Sequence, residues 1–282
     1  MSLFAAVEAG GTKFVCGLAT GPGDLVQSSF PTATPVETVA RAVEWFRGRP
    51  PASALGIASF GPVDLDPRSA THGFITSTPK PGWANFDIAG EFSRALGIPV
   101  AIDTDVNAAV LSEARWGAAR GVEDAVYITV GTGIGGGALA GGRLVHGLVH
   151  PEMGHMRIPH DCAADPFPGG CPYHRDCLEG LAAGPTIEQR WGMKADELPP
   201  DHPAWGLEAG YLAFAAANLV CTLSPRRIIM GGGVMQQAHL FPLIRTRLAA
   251  ILNDYVAIPE VVPPALGQNA GVLGGIALAA AL

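Results

Sequence analysis

A chain of 282 residues exceeds the usual span of one hydrophobic core, so it holds two domains or one large α/β domain. Hydrophobic residues make up 48% and charged residues 15%, with 37 glycines and 24 prolines; this excludes a disordered chain and suits α/β structure with many tight turns. A net charge of −7 with three lysines leaves no broad basic face for nucleic acid or an anionic membrane, so backbone amides would have to hold any bound phosphate.

Residues 3–9 and 12–20 predict two strands separated by Gly10 and Gly11, and GPGD at 21–24 turns the chain into a third strand at 25–31. The opening MSLFAAVEAGGTKF has no basic segment followed by a cleavable apolar core, which points to the cytoplasm. Thr34 with Glu37 forms a capping box, Pro35 takes the first helical position, Val36, Val39, Ala40 and Val43 recur at helical spacing, and Gly48 stops the helix. Strands follow at 54–61 and 99–105, then a helix in VNAAVLSEARWG.

The second half opens the same way, with a strand, a glycine-rich turn at 131–137, a strand, the Gly141–Gly142 turn and another strand. Helices fit 180–191, 206–223, 238–254 and 270–282, with the strand RRIIMGGG between the second and third. The repeated order of elements predicts two similar lobes facing a cleft. The apolar stretches at 209–224 and 270–282 fall short of the ~18 to 20 residues of a membrane span and read as buried helices.

Three glycine turns stand out: EAGGTK (8–13), TVGTGIGG (129–136) and MGGGV (230–234). Glycine lets successive N–H groups converge on phosphate oxygens, and Thr12 and Thr132 add hydroxyls. Each alone is also an ordinary hairpin turn, and neither GxxxxGK[ST] nor GxGxxG followed by a helix occurs. Five cysteines, an odd number without a secretion signal, argue against a disulfide framework. Cys171, His174 and Cys177 form CxxHxxC, which one more ligand would complete to a tetrahedral zinc shell; packing in a loop is the alternative. Asp105 ends a strand and begins a helix, a position where a side chain projects into a cleft and a carboxylate can act as a general base. An ordinary helix N-cap is the competing reading.

Taken together, EAGGTK, DTDVNAA, GTGIGGG, PEMGH, CPYHRDCLEG and GGGV, in this order over residues 5–277, resemble the sugar kinases of the actin-like ATPase superfamily. Within it they are most similar to the ROK family (repressors, open reading frames and kinases), in its bacterial fructokinase branch. The resemblance implies an α/β, two-lobed actin-like ATPase (ribonuclease H-like) fold with duplicated βββαβαβα halves around a cleft. Its N-terminal lobe would be 1–117, completed by the C-terminal helix 266–282, and its C-terminal lobe 118–265, with a zinc-binding loop at 151–180.

The function so implied is an ATP-dependent fructokinase acting on the 6-hydroxyl of D-fructose, with Asp105 as general base, Mg²⁺ and a structural Zn²⁺. The resemblance puts the fourth zinc ligand at His155, beside Cys171, His174 and Cys177, with His160 or Cys162 as alternatives. It assigns Gly10, Gly11, Thr12, Lys13, Thr132, Gly133, Pro185, Gly231, Gly232, Gly233, Val234 and Met235 to the nucleotide. Asp105, Asn107, Glu152, His155 and Glu179 fall to the sugar, and Glu8 to Mg²⁺ through water. Lys13 also reads as a solvated strand lysine, and Asp103 as a support of the strand end or the Mg²⁺ region. STPKPGW at 77–83 reads as a mobile sugar-side loop with Lys80 and Trp83 at the cleft edge, or as a plain proline turn.

Members of the family usually form homodimers. Two departures matter: Glu8 stands where most members have Asp, and Thr104 stands where glucose-phosphorylating members carry Asn, which disfavours glucose. The rival readings are a hexokinase preferring mannose or glucose, a sugar-responsive non-catalytic regulator, and a zinc-stabilised scaffold. Nine residues ahead of the first glycine hairpin leave no room for the helix-turn-helix of ROK repressors, which argues against the regulator.

Overall fold

The computed structural model describes residues 2–282 and divides into two compact units. The first comprises residues up to Arg120 with Leu144–Pro151 and Gln268–Leu282; the second comprises Gly121–Arg143 and Glu152–Gly267.

In the first unit, β1 (Phe4–Ala9), β2 (Lys13–Ala19) and β3 (Val26–Pro31) form the antiparallel meander that the glycine turns predict. Then come α1 (Pro35–Arg47), β4 (Leu55–Ser59), the short pair β5 (Phe74–Ile75) and β6 (Phe86–Asp87), α2 (Ile88–Leu96), β7 (Val100–Thr104) and α3 (Asp105–Trp116). The sheet order is β3-β2-β1-β4-β7, with β4 parallel to both β1 and β7. β4 is buried throughout, as a strand covered on both faces must be, and its residues are correspondingly small or apolar. α1 starts at the predicted capping box, in which the Thr34 hydroxyl accepts from the Glu37 N–H and the Glu37 carboxylate accepts from the Thr34 N–H, both at 3.4 Å.

The sequence reading takes the region of α2 as a connection. The structure makes it a helix, capped by Asp87, which accepts from the Gly90 N–H at 2.8 Å, and ended by Gly97 at φ 67°. Its nine residues bury only Ile88 and Phe92 fully, too few to print a period in the sequence. Of the two readings of 77–83, the structure has the turn, and the cleft-edge placing of Trp83 is corrected. Trp83 is fully buried rather than at the edge of a site. Its Nε1 donates to the Ala33 carbonyl at 3.0 Å, and its ring centroid lies 5.4, 5.6 and 5.4 Å from those of Phe14, Phe60 and Phe86. Truncating it to Ala would cost about 3–5 kcal/mol.

The second unit contains β8 (Ala125–Val130), β9 (Ile134–Ala140), β10 (Arg143–Leu144, of which Leu144 groups with the first unit), α4 (Leu178–Ala182), α5 (Gly184–Trp191), α6 (Ala204–Leu223), β11 (Arg227–Gly231), α7 (Leu240–Leu252) and β12 (Glu260–Val262). The order β10-β9-β8-β11-β12, with β11 parallel to β8 and β12, repeats that of the first sheet, so the ribonuclease H-like arrangement occurs twice. The glycine run ends as a turn at 133, and Gly135, Gly136 and Gly137 lie within β9. Gly136 is in the strand because a Cβ there would meet Ile128 and Met153 at 2.7 Å.

The helix expected at 180–191 is two helices, broken at Ala183, because Pro185 in the first turn of α5 suits a helix start. α6 begins at Ala204 and, at 20 residues and a mean hydropathy of 1.3, is long and apolar enough to cross a membrane. More than half of it is buried against its neighbours α7 and α4, which makes it a core helix.

α8 (Ala270–Ala279) returns to the first unit and packs on β1, β2, β4 and α3. Backbones touch there: a Cβ on Gly56 would overlap the Gly275 carbonyl. The segment 144–151, which the sequence reading puts in the second lobe, groups with the first unit, where His146 bonds Asp103 and His150 bonds the backbone of Val63.

Candidate functional site

Cys171 and Arg175 close a tight loop through reciprocal backbone hydrogen bonds of 3.2 and 2.9 Å, with Arg175 in the left-handed region at φ 58°. This turns His174 back onto Cys171, with Nδ1 3.8 Å from Sγ. His155, on a single turn at Met153–His155, brings its Nδ1 to 3.8 Å from Cys171 Sγ and 3.6 Å from Cys177 Sγ. All four ligand atoms lie within 4.8 Å of one another. Sulfur at ~2.3 Å and nitrogen at ~2.05 Å from one tetrahedral centre stand about 3.6 Å apart, so the donor set fits zinc. His160 and Cys162 do not join it: His160 Nε2 is 2.9 Å from the Asp165 carbonyl oxygen, and Cys162 is exposed. Burial pushes the Cys177 thiol up to about 11, and neighbouring Cys171 adds to this. Four protein ligands leave no vacant position for an activated water, which is the pattern of a structural site.

Glycine turns converge within the second unit. Gly131 N–H donates to the Gly133 carbonyl at 2.9 Å, and the Gly131 carbonyl accepts from Gly184 N–H, at the start of α5, at 2.8 Å. A Cβ on Gly131 would stand 3.9 Å from the nitrogen of Gly233. Gly232, at φ 95°, runs so close to Val130 that only glycine fits. Thr132, Gly233 and Pro185 are exposed, whereas the side chains of Val234 and Met235 are buried, so this last turn, which begins at Gly231, offers backbone. Successive N–H groups of such glycine turns can converge on phosphate oxygens; the start of α5 adds none, because Gly184 N–H is bonded to Gly131 and Pro185 has no N–H. Glu179 accepts from the Ile134 N–H at 2.9 Å, which ties the cysteine loop to this turn, and Glu152 is exposed at the start of the His155 turn.

In the first unit the N-cap of α3 is Thr104, whose hydroxyl accepts from the Asn107 N–H at 3.1 Å. The cap reading of Asp105 is thereby corrected: Asp105 is the first helical residue, partly exposed, with Oδ1 accepting from the Val106 N–H at 2.9 Å. Asn107 is 1% exposed; its Nδ2 donates to Asp103 at 2.8 Å, and its Oδ1 has no hydrogen-bond partner among the described residues. Asp103 Oδ1 also accepts from the Thr104 N–H, and Oδ2 lies 2.8 Å from His146 Nε2, so Asp103 braces the strand end.

At the first hairpin, Gly10 N–H donates to the Lys13 carbonyl at 3.0 Å, and Gly11, Thr12 and Lys13 are exposed. Burial raises the Glu8 carboxyl, opposed by the charge of Lys13 and by the Val272 N–H at the start of α8. Glu8 Oε2 is buried without a hydrogen-bond partner among the described residues, which fits a cation or its water shell.

Sequence reasoning missed a buried polar network next to the cysteine loop. Arg190 meets Asp165 through two N···O distances of 3.1 Å, and the Tyr211 hydroxyl donates to Asp165 at 2.6 Å. Glu208, 2% exposed, is pushed well above the usual carboxylate range by burial, against the pull of Arg190. Scattered over more than 40 positions, these residues leave no local pattern.

The sequence profile of the ROK family matches residues 4–281. A fructokinase from Pediococcus pentosaceus is 43% identical over 284 residues, covering 99% of this chain and 98% of its own length. A glucokinase from Halalkalibacterium halodurans is 28% identical, with 96% of this chain and 93% of its own covered. The crystal structure of a ROK hexokinase from Thermus thermophilus superposes with a TM-score of 0.83 at 27% identity, covering 99% of this chain and 98% of that one. The shared architecture is the two-lobed actin-like ATPase fold, and the activity class is ATP-dependent phosphoryl transfer to a sugar. The chain therefore belongs to the ROK family, among its sugar kinases.

Proposed function

We propose that this ATP-dependent sugar phosphotransferase is a fructokinase that phosphorylates the 6-hydroxyl of D-fructose. The observation that carries the reading is the contrast in identity, 43% to a full-length fructokinase against 28% to a glucokinase. Thr104 supports it: with its hydroxyl spent on the cap and 3% exposure, it does not replace the asparagine of glucose-phosphorylating members.

Asp105 acts as general base. As the fructose O6 bonds to the γ-phosphorus, the bond from that phosphorus to the β,γ-bridging oxygen breaks, ADP leaves, and the hydroxyl proton passes to a carboxylate oxygen of Asp105. Backbone N–H groups of the 10–13, 131–133 and 231–233 turns bind the nucleotide, with Lys13 and Thr132 assisting, and the exposed Pro185 borders it. Glu152, His155 and Glu179 address the sugar hydroxyls, and buried Asn107 acts from beneath by bracing Asp103. Glu8 would hold Mg²⁺ through water, and the ion would supply neutralisation of phosphate charge. His155, Cys171, His174 and Cys177 would hold zinc, which would fix the sugar-side loop.

A hexokinase preferring glucose or mannose is the rival. Comparing kcat/KM for fructose, mannose and glucose tests the proposal: fructose is expected to be highest, and glucose exceeding it about tenfold would overturn it.

A further inference from the structure

The segment 144–151 is held on the first unit by its two histidines. His150 Nε2 accepts from the Val63 N–H at 3.1 Å, and His146 Nε2 lies 2.8 Å from Asp103 Oδ2. The two ends of the second contact differ in character. The side chain of Asp103 is 4% exposed, whereas that of His146 is 41% exposed, so His146 contributes a hydrogen bond more than packing volume.

Asp103 stands two residues before Asp105, and its carboxylate is the hub of the β7–α3 junction. Oδ1 takes the Thr104 N–H and the Asn107 Nδ2, each at 2.8 Å, while the Thr104 hydroxyl takes the Asn107 N–H at 3.1 Å. Asp105 is thus braced by hydrogen-bonded neighbours on both sides along the chain. Removing the His146 donor would leave a buried carboxylate oxygen short of a partner, and such an oxygen turns to seek another donor. Turning Asp103 draws Thr104 and Asn107 with it.

We propose that His146 is a positioning residue for phosphoryl transfer: through Asp103 it fixes the strand-to-helix junction that sets the direction of Asp105. The same segment runs directly into Glu152 and His155, so one stretch of chain both braces the base and leads into the metal-cluster loop. This inference rests on the reading of Asp105 as base. Misplacing a reacting group by ~1 Å costs up to about 100-fold in rate, so a brace of this kind acts on kcat.

The experiment compares steady-state kinetics of the intact enzyme with those of His146→Ala, His146→Gln, His146→Phe and Asp105→Ala. Gln can place an amide N–H where Nε2 stood, whereas Phe keeps the bulk without a donor. The expected result is that Ala and Phe each lower kcat by about 10-fold with the KM for ATP within about 2-fold, and that Gln recovers most of the loss. Unchanged kcat in the Ala and Phe variants, or equal impairment of Gln and Phe, would overturn the proposal. If the Ala variant does not fold, the Gln and Phe pair decides it alone. Asp105→Ala separates the two claims. Turnover retained there sinks the base assignment, whereas turnover lost there but intact in His146→Phe sinks only the role of His146.

Discussion

The carboxylate of Glu179, two residues beyond Cys177, accepts the backbone N–H of Ile134 at 2.9 Å, and a Cβ on Gly133 would come within 2.7 Å of the same oxygen. The loop carrying the four metal-type ligands and the glycine turn at 131–133 are therefore joined inside one unit. Glu179→Ala should raise the KM for ATP together with that for the sugar, each by about 10-fold, because a hydrogen bond to a charged group is worth ~1.5–3 kcal/mol. A two-substrate kinetic matrix reads both; a rise confined to the sugar would contradict the link.

Spacings of 3.6 to 3.8 Å among the thiols and imidazoles predict one zinc per chain, measurable by elemental analysis of protein purified without added metal. Cys177→Ser should lose the ion and lower Tm by about 5 °C or more, since ~2 kcal/mol shifts a unit of this size by several degrees. Metal-free wild-type protein with an unaltered Tm would refute the assignment.

Folding gives His146 a carboxylate partner. The hydrogen bond that His146 donates to Asp103 raises its pKa above 6.5, burial opposes this more weakly, and the charge of Asp103 adds to the rise. A value raised on folding means that the contribution to stability is complete below the unfolded value of 6.5 and is lost as pH climbs through the folded value. The Tm difference between wild type and His146→Ala should therefore be largest near pH 6 and shrink towards about pH 9. A difference that grows with pH would show the sign to be wrong.

Glu8 shows how site and stability can pull in opposite directions. Its carboxylate is costly to bury, and Oε2 has no partner among the described residues. Glu8→Gln should leave Tm equal or higher while raising the Mg²⁺ concentration needed for half-maximal turnover by several-fold, about 5-fold. An unchanged Mg²⁺ requirement would remove Glu8 from the magnesium site.

Features written in local chemistry were legible in the sequence. The Thr34–Glu37 box, the Gly10–Gly11 hairpin tip and the CxxHxxC spacing each specify a backbone geometry within a few residues, and each appears where it was read. The duplicated sheet order was legible because two glycine-tipped meanders recur in the same sequence of elements. What escaped depends on partners distant in the chain. Trp83 lies beside prolines and looks like a surface turn until Phe14 and Phe60 arrive from elsewhere to cover it. Thr104, not Asp105, caps α3, a choice between adjacent residues that both suit caps. The His146–Asp103 contact spans 43 positions, and nothing in LVHGLVH marks which histidine would find a carboxylate.

The central claim, an aspartate-assisted transfer of phosphate from ATP to fructose, is tested most directly by the turnover of Asp105→Ala beside wild type in a coupled assay with fructose. Wild type is predicted to form fructose 6-phosphate, and the variant to lose about 10³-fold in kcat while still binding the sugar. A variant turning over within about 10-fold of wild type would contradict the account.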